Sequence, residues 1–257
     1  MRYFLKISYL GLNFHGWQRQ PNAVTVQQVI EDALSKILRI EMEIVGAGRT
    51  DTGVNAVETY AHFDSVDEIT DLKRFIISLN HLIGKDIAVT DIIKVADESH
   101  ARFDAVSRTY KYFISGKKNP FWNNYSLFDS RNLNIDKMNE GCRILKETED
   151  FTSFAKLHSN AKTNICHIYD AFWEKVNHIN LPDYESLPFE GFVFTITADR
   201  FLRNMVRSIV GTLIETGTGK LSIEELKNII NKKDRSAAGM SVEAQGLFLW
   251  KIKYPYL

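Results

Sequence analysis

Gly46-Ala47-Gly48-Arg49-Thr50-Asp51-Thr52-Gly53-Val54-Asn55-Ala56 mounts one carboxylate beside one arginine on a short, glycine-bearing loop. Ile44 and Val45 lead into it, and Val57, Thr59, Ala61 and Phe63 leave it with period-two spacing. The run therefore joins two strands and puts Asp51 at the corner between them. A dinucleotide fingerprint would need a helix to open at its third glycine, whereas a strand pattern follows here. A phosphate loop would need Gly-Lys-Ser/Thr, which is absent. Asp51-Thr52-Gly53 matches the triplet of aspartic proteases, but no second copy exists in the chain and a homodimer would have to supply it. A cationic neighbour also favours an ionised Asp51, which opposes the proton sharing of a protease pair. The plain alternative is a turn made by Asp and Gly.

At 257 residues the chain is long enough for one large domain or two similar lobes. Hydrophobic residues at 44% and charged residues at 25% are ordinary for a globular protein, and no apolar run approaches the roughly 20 residues of a membrane span. The first ten residues alternate like a strand and lack a signal-peptide core, so a cytoplasmic protein is expected. The net charge of zero argues against coating nucleic acid through bulk charge, while leaving room for a local basic cleft. Cys142 and Cys166 lack CxxC spacing, and the seven histidines show no zinc pattern, so neither a metal nor a disulfide is expected.

A strand over residues 3 to 9 and a helix over 26 to 38, capped by Thr25, precede the Asp51 corner. A helix over 71 to 82 and an alternating run over 87 to 95 follow it. The later half reads as a strand over 109 to 114, a helix over 136 to 146, strands over 165 to 176 and 191 to 197, a helix over 200 to 216, a short helix over 223 to 230 and a strand over 247 to 254. The pattern predicts an α+β fold of two related halves, residues 1–100 and 101–257, whose sheets join across the middle. The linker is expected at 100 to 108, with surface segments at 120 to 126 and 182 to 188.

Arg203 and Arg207 stand four apart beside the apolar stripe Leu202, Val206, Ile209 and Leu213 of the predicted helix over 200 to 216. Like charges at that spacing repel, so an opposing anion makes sense of them, and Asp51 is a natural partner for one. Tyr110 and Tyr112 share one strand face, as core residues or as a surface for a base. Gln18 and Arg19 lie in His15-Gly16-Trp17-Gln18-Arg19-Gln20-Pro21, whose aromatic, amide and cationic mixture suits nucleic-acid contact. His100-Ala101-Arg102-Phe103 reads equally as scaffold or as RNA contact.

Taken in order, Gly16-Trp17-Gln18-Arg19-Gln20, Gly48-Arg49-Thr50-Asp51, His100-Ala101-Arg102-Phe103, Arg108-Thr109-Tyr110-Lys111-Tyr112, Asp150-Phe151-Thr152-Ser153-Phe154, Met205-Val206-Arg207 and Gly246-Leu247 resemble the tRNA pseudouridine synthase A family. The resemblance implies isomerisation of uridine to pseudouridine at about positions 38 to 40 of the tRNA anticodon arm. It also implies a cofactor-free homodimer and two ferredoxin-like halves around a central active-site cleft. By it, Asp51 is the nucleophile, Tyr110 packs on the target uracil and is placed for proton transfer, and Arg207 pairs with Asp51. Leu247 lies near the base, and Arg49 fills the gap when the nucleotide leaves the stack. Thr52, Asn55, Asn204 and Gln245 depart from the common family pattern. A non-catalytic tRNA-binding relative, acting as a chaperone, is the main alternative, ahead of a dimeric aspartic protease.

Overall fold

The computed structural model describes residues 1–156, 162–179 and 187–257, which divide into two compact units, Met1–Val106 with Leu249–Leu257, and Ser107–Phe248. In the first unit, β1 (Arg2–Tyr9) buries Tyr3, Phe4, Leu5, Ile7 and Tyr9, using both faces because it lies inside a sheet. Helix α1 (Val26–Leu38) begins where the Thr25 hydroxyl accepts from the Gln28 N–H, and it buries Val26, Ile30, Ala33 and Leu34. Strands β2 (Val45–Gly46) and β3 (Asn55–Asp64) pair antiparallel, Val45 with His62 and Gly46 with Ala61, with Asp51 on the loop between them. Asp71 caps α2 (Leu72–Leu82) by accepting from the Arg74 N–H, and β4 (Ile87–Val95) completes the order β4-β1-β3. Each such cap is worth about 1 kcal/mol.

The second unit repeats the β-α-β-β-α-β order. It contains β5 (Ser107–Ser115), with β6 (Leu127–Phe128) pairing parallel to its end, then α3 (Ile135–Lys146), β7 (Ile168–Ile179), β8 (Leu187–Ala198) and α4 (Met205–Gly217). Helix α5 (Ile223–Lys232) starts with a capping box between Ser222 and Glu225. The sheet order is β5-β8-β7, antiparallel throughout. The last strand, β9 (Leu247–Lys253), starts in this unit and ends in the first. Of the segment 182 to 188 expected at the surface, 182–186 lie outside the described residues and Pro188 lies in β8.

Two boundaries differ from expectation. The first unit runs past residue 100, because the Ala101 N–H donates to His62 Nδ1 at 3.1 Å, the Tyr254 hydroxyl donates to the Ala101 carbonyl, and the Val106 N–H donates to Lys253 at 2.8 Å. Helix α4 begins at Met205, not at 200, because Asn204 takes a left-handed conformation with φ 65°. Leu202, Val206, Ile209 and Leu213 are buried as their spacing suggests, but Leu202 and Arg203 precede the helix. Among the described residues, no helix is long and apolar enough to cross a membrane.

Candidate active site

The Asp51 corner is held mainly by a neighbouring segment, the turn that follows β1. Gly16, at φ 85°, lies so close that a Cβ there would stand 2.5 Å from the Thr50 carbonyl oxygen and 3.2 Å from the Asp51 carbonyl carbon. At Gly11 a Cβ would meet the Val54 carbonyl oxygen at 2.2 Å. Only glycine permits either approach. Hydrogen bonds join the same segments: the Trp17 N–H donates to the Thr50 carbonyl at 3.2 Å, and the Gly11 N–H donates to Oδ1 of buried Asn55 at 2.8 Å. Within the corner, the Val54 N–H closes onto the Asp51 carbonyl at 3.2 Å and Gly53 supplies φ 79°. By contrast, nothing lies within 4 Å of a Cβ built on Gly48. Asp51 is half-buried and Arg49 exposed.

The turn that clamps Asp51 also carries Gln18 and Arg19, both exposed. Its path is fixed from α1, whose Val26 and Gln27 N–H groups donate to the Gly16 and Trp17 carbonyls. Arg19 Nη1 pairs at 3.0 Å with Glu31, whose side chain is 4% exposed and also accepts from Gln27 and the Ile44 N–H. A buried carboxylate needs such partners. Arg19 therefore has a structural task that its surface position does not reveal. His100 is likewise built into its loop, its Nδ1 accepting from the Arg102 and Phe103 N–H groups, while Phe103 is 74% exposed with Arg102 stacked 5.7 Å over its ring.

In the second unit Tyr110 and Tyr112 do share a face of β5. Tyr110 is half-buried and meets Phe201 edge-on at 5.1 Å, while buried Tyr112 donates its hydroxyl proton to the Glu243 carbonyl at 2.9 Å. Residues 238–246 bind α4 to this strand. Arg207 Nε donates to the Val242 carbonyl at 2.6 Å, the Val242 N–H returns to the Arg207 carbonyl, and the Phe113 N–H donates to the Gly246 carbonyl. Asn204 Nδ2 and Arg235 Nη2 both reach the Ser241 hydroxyl, at 2.6 and 2.9 Å. Arg207 thus has one edge of its guanidinium fixed on backbone. Leu247 is buried, and Arg203 is exposed in the turn before α4, so the two arginines do not form a helical i, i+4 pair.

Burial pushes the Cys142 and Cys166 thiols up to about 12, which makes them poor nucleophiles. Among the described residues, no group of three or more His, Cys, Asp or Glu side chains is placed to hold a metal ion. What the two units display is one carboxylate on a locked corner, a tyrosine ring on a strand, and guanidinium groups.

Those features sit on a β-α-β-β-α-β order that occurs twice, the mark of an α+β protein class. A family model described as tRNA pseudouridine synthase matches residues 144–255. The tRNA pseudouridine synthase A of Parabacteroides distasonis is 50% identical over 254 residues, covering 99% of this chain and 96% of that protein. Those of Bacteroides thetaiotaomicron and Bacillus subtilis are 47% and 37% identical, over 99% of this chain and 91% and 99% of theirs. The chain belongs to the tRNA pseudouridine synthase A family, whose members isomerise uridine to pseudouridine in tRNA. Neither the protease reading of Asp51-Thr52-Gly53 nor that of a non-catalytic RNA chaperone finds support in these matches.

Proposed function

We propose that this protein converts uridine to pseudouridine at about positions 38 to 40 of the tRNA anticodon arm, as a cofactor-free homodimer in the cytoplasm, with Asp51 as the nucleophile. The observation that carries the reading is the Asp51 corner: a carboxylate on a loop clamped by Gly11, Gly16 and Trp17, in a member of this family. Such a loop presents its side chain in one direction and gives up little entropy when substrate arrives.

The reaction breaks the N1–C1′ bond of the nucleotide, turns the uracil while it is held, joins C5 to C1′, removes the C5 proton and leaves a proton on N1, so that no atom is gained or lost. Asp51 begins it by attack on C1′ or by taking the C2′ proton, and both routes need a carboxylate aimed at the sugar. The target nucleotide must first leave its stack, at a cost of a few kcal/mol. Arg49 fills the space it vacates. The Tyr110 ring and Leu247 pack on the uracil, and Tyr110 is the group for proton transfer. Arg207, steadied by Val242, supplies a guanidinium to anionic charge in the site, while Gln18, Arg19 and Arg203 contact the RNA.

The test uses unmodified tRNA transcript with uridines in the anticodon arm, mapped by carbodiimide treatment and primer extension. Product at about positions 38 to 40, lost position by position when each uridine is replaced by cytidine, is the expected result. Product confined to another part of the tRNA would overturn the assignment of the substrate site.

A further inference from the structure

Tyr9 ends β1 with only 4% of its surface exposed, and its hydroxyl shares a 2.8 Å hydrogen bond with Oγ1 of Thr50, the residue before Asp51. The register of β1 against β3 shifts just before Tyr9, and its register against β4 shifts earlier, between Lys6 and Ile7. Pairing with β3 passes from Ile7↔Thr59 to Tyr9↔Ala56, and pairing with β4 passes from Lys6↔Asp91 to Ile7↔Val89, so each neighbour carries one extra residue. The extra residue on β3 lies opposite this end of β1, and bulges are over-represented next to active sites. The Tyr9 ring also lies 6.1 Å from that of Trp17, whose N–H holds the Thr50 carbonyl. Thr50 is therefore held at both its hydroxyl and its carbonyl, one residue ahead of the reacting carboxylate.

We propose that Tyr9 is a positioning residue for the isomerisation, its hydroxyl fixing through Thr50 the direction in which the Asp51 side chain leaves the loop. This rests on Asp51 being the nucleophile. Small misplacement of a reacting group is expensive: about 1 Å can cost about a hundredfold in rate. Tyr9→Phe keeps the ring that packs on Trp17 and removes only the hydroxyl. It should bind tRNA within about twofold of wild type and slow the single-turnover rate about tenfold. Thr50→Val should do the same, the double variant should be no slower than either single one, and Thr50→Ser should keep most of the rate. A role confined to packing would lower the melting temperature and leave the single-turnover rate of folded protein unchanged. Tyr9→Phe at the wild-type rate, with Asp51→Asn inactive, would overturn the inference. Turnover by Asp51→Asn at the wild-type rate would instead remove the nucleophile, and this inference with it.

Discussion

His62 lies buried on β3, its ring 6.0 Å from that of Phe4 and its Nδ1 accepting from the Ala101 N–H. A nitrogen that accepts carries no proton, so the fold holds the neutral ring. Burial, then the nearby Arg2 and His100 charges, lowers its pKa to about 4. A histidine depressed in this way stabilises the fold above the unfolded value of about 6.5 and loses that contribution as pH falls towards 4. The melting temperature should therefore drop between about pH 6.5 and pH 5, and less steeply in His62→Asn, which keeps an acceptor for Ala101 and does not titrate. Equal slopes for the two proteins would show that His62 is not the source. Single residues were unevenly legible from sequence. The loop position of Asp51 was readable from the turn residues around it and the strand position of Tyr110 from alternation, whereas Arg19's bond to buried Glu31 depends on α1 meeting the turn after β1, which no local pattern encodes.

At the scale of elements, the tightness of the Asp51 loop comes largely from glycines outside it. Gly16→Ala forces a side chain into the left-handed region and onto the Thr50 carbonyl oxygen, so it should destabilise the protein by about 2 kcal/mol or more. Gly48→Ala has open space and should change stability by less than about 0.5 kcal/mol. Chemical denaturation of the two variants checks the contrast, and equal losses would contradict it. The strand-loop-strand setting of Asp51 was readable because apolar Ile44 and Val45 lead into the loop and Val57, Thr59, Ala61 and Phe63 leave it with period-two spacing. The start of α4 was not, since the buried Leu202, Val206, Ile209 and Leu213 keep helical spacing across a break. Asn204 was the available signal: asparagine tolerates the left-handed conformation that φ 65° records, and its amide is held by Ser241.

For the whole molecule, recurrence of β-α-β-β-α-β in both units was visible as alternating strand and helix periods without sequence identity between the halves. The return of residues 249–257 to the first unit was not, because chain position says nothing about which sheet a terminal strand joins. With zero net charge, RNA binding must rest on local cations, and Arg19, Arg49 and Arg203 are all exposed. Affinity for tRNA should fall steeply with salt, and replacing Arg49 or Arg203 by alanine should reduce the slope of log K against log salt by about one each. Unchanged slopes would remove those residues from the RNA surface. The most direct measurement is single-turnover formation of pseudouridine by Asp51→Asn beside wild type, with tRNA binding measured on the same samples. Binding near the wild-type affinity with no product is the predicted result, and product at the wild-type rate would contradict the assignment of Asp51 as the reacting group.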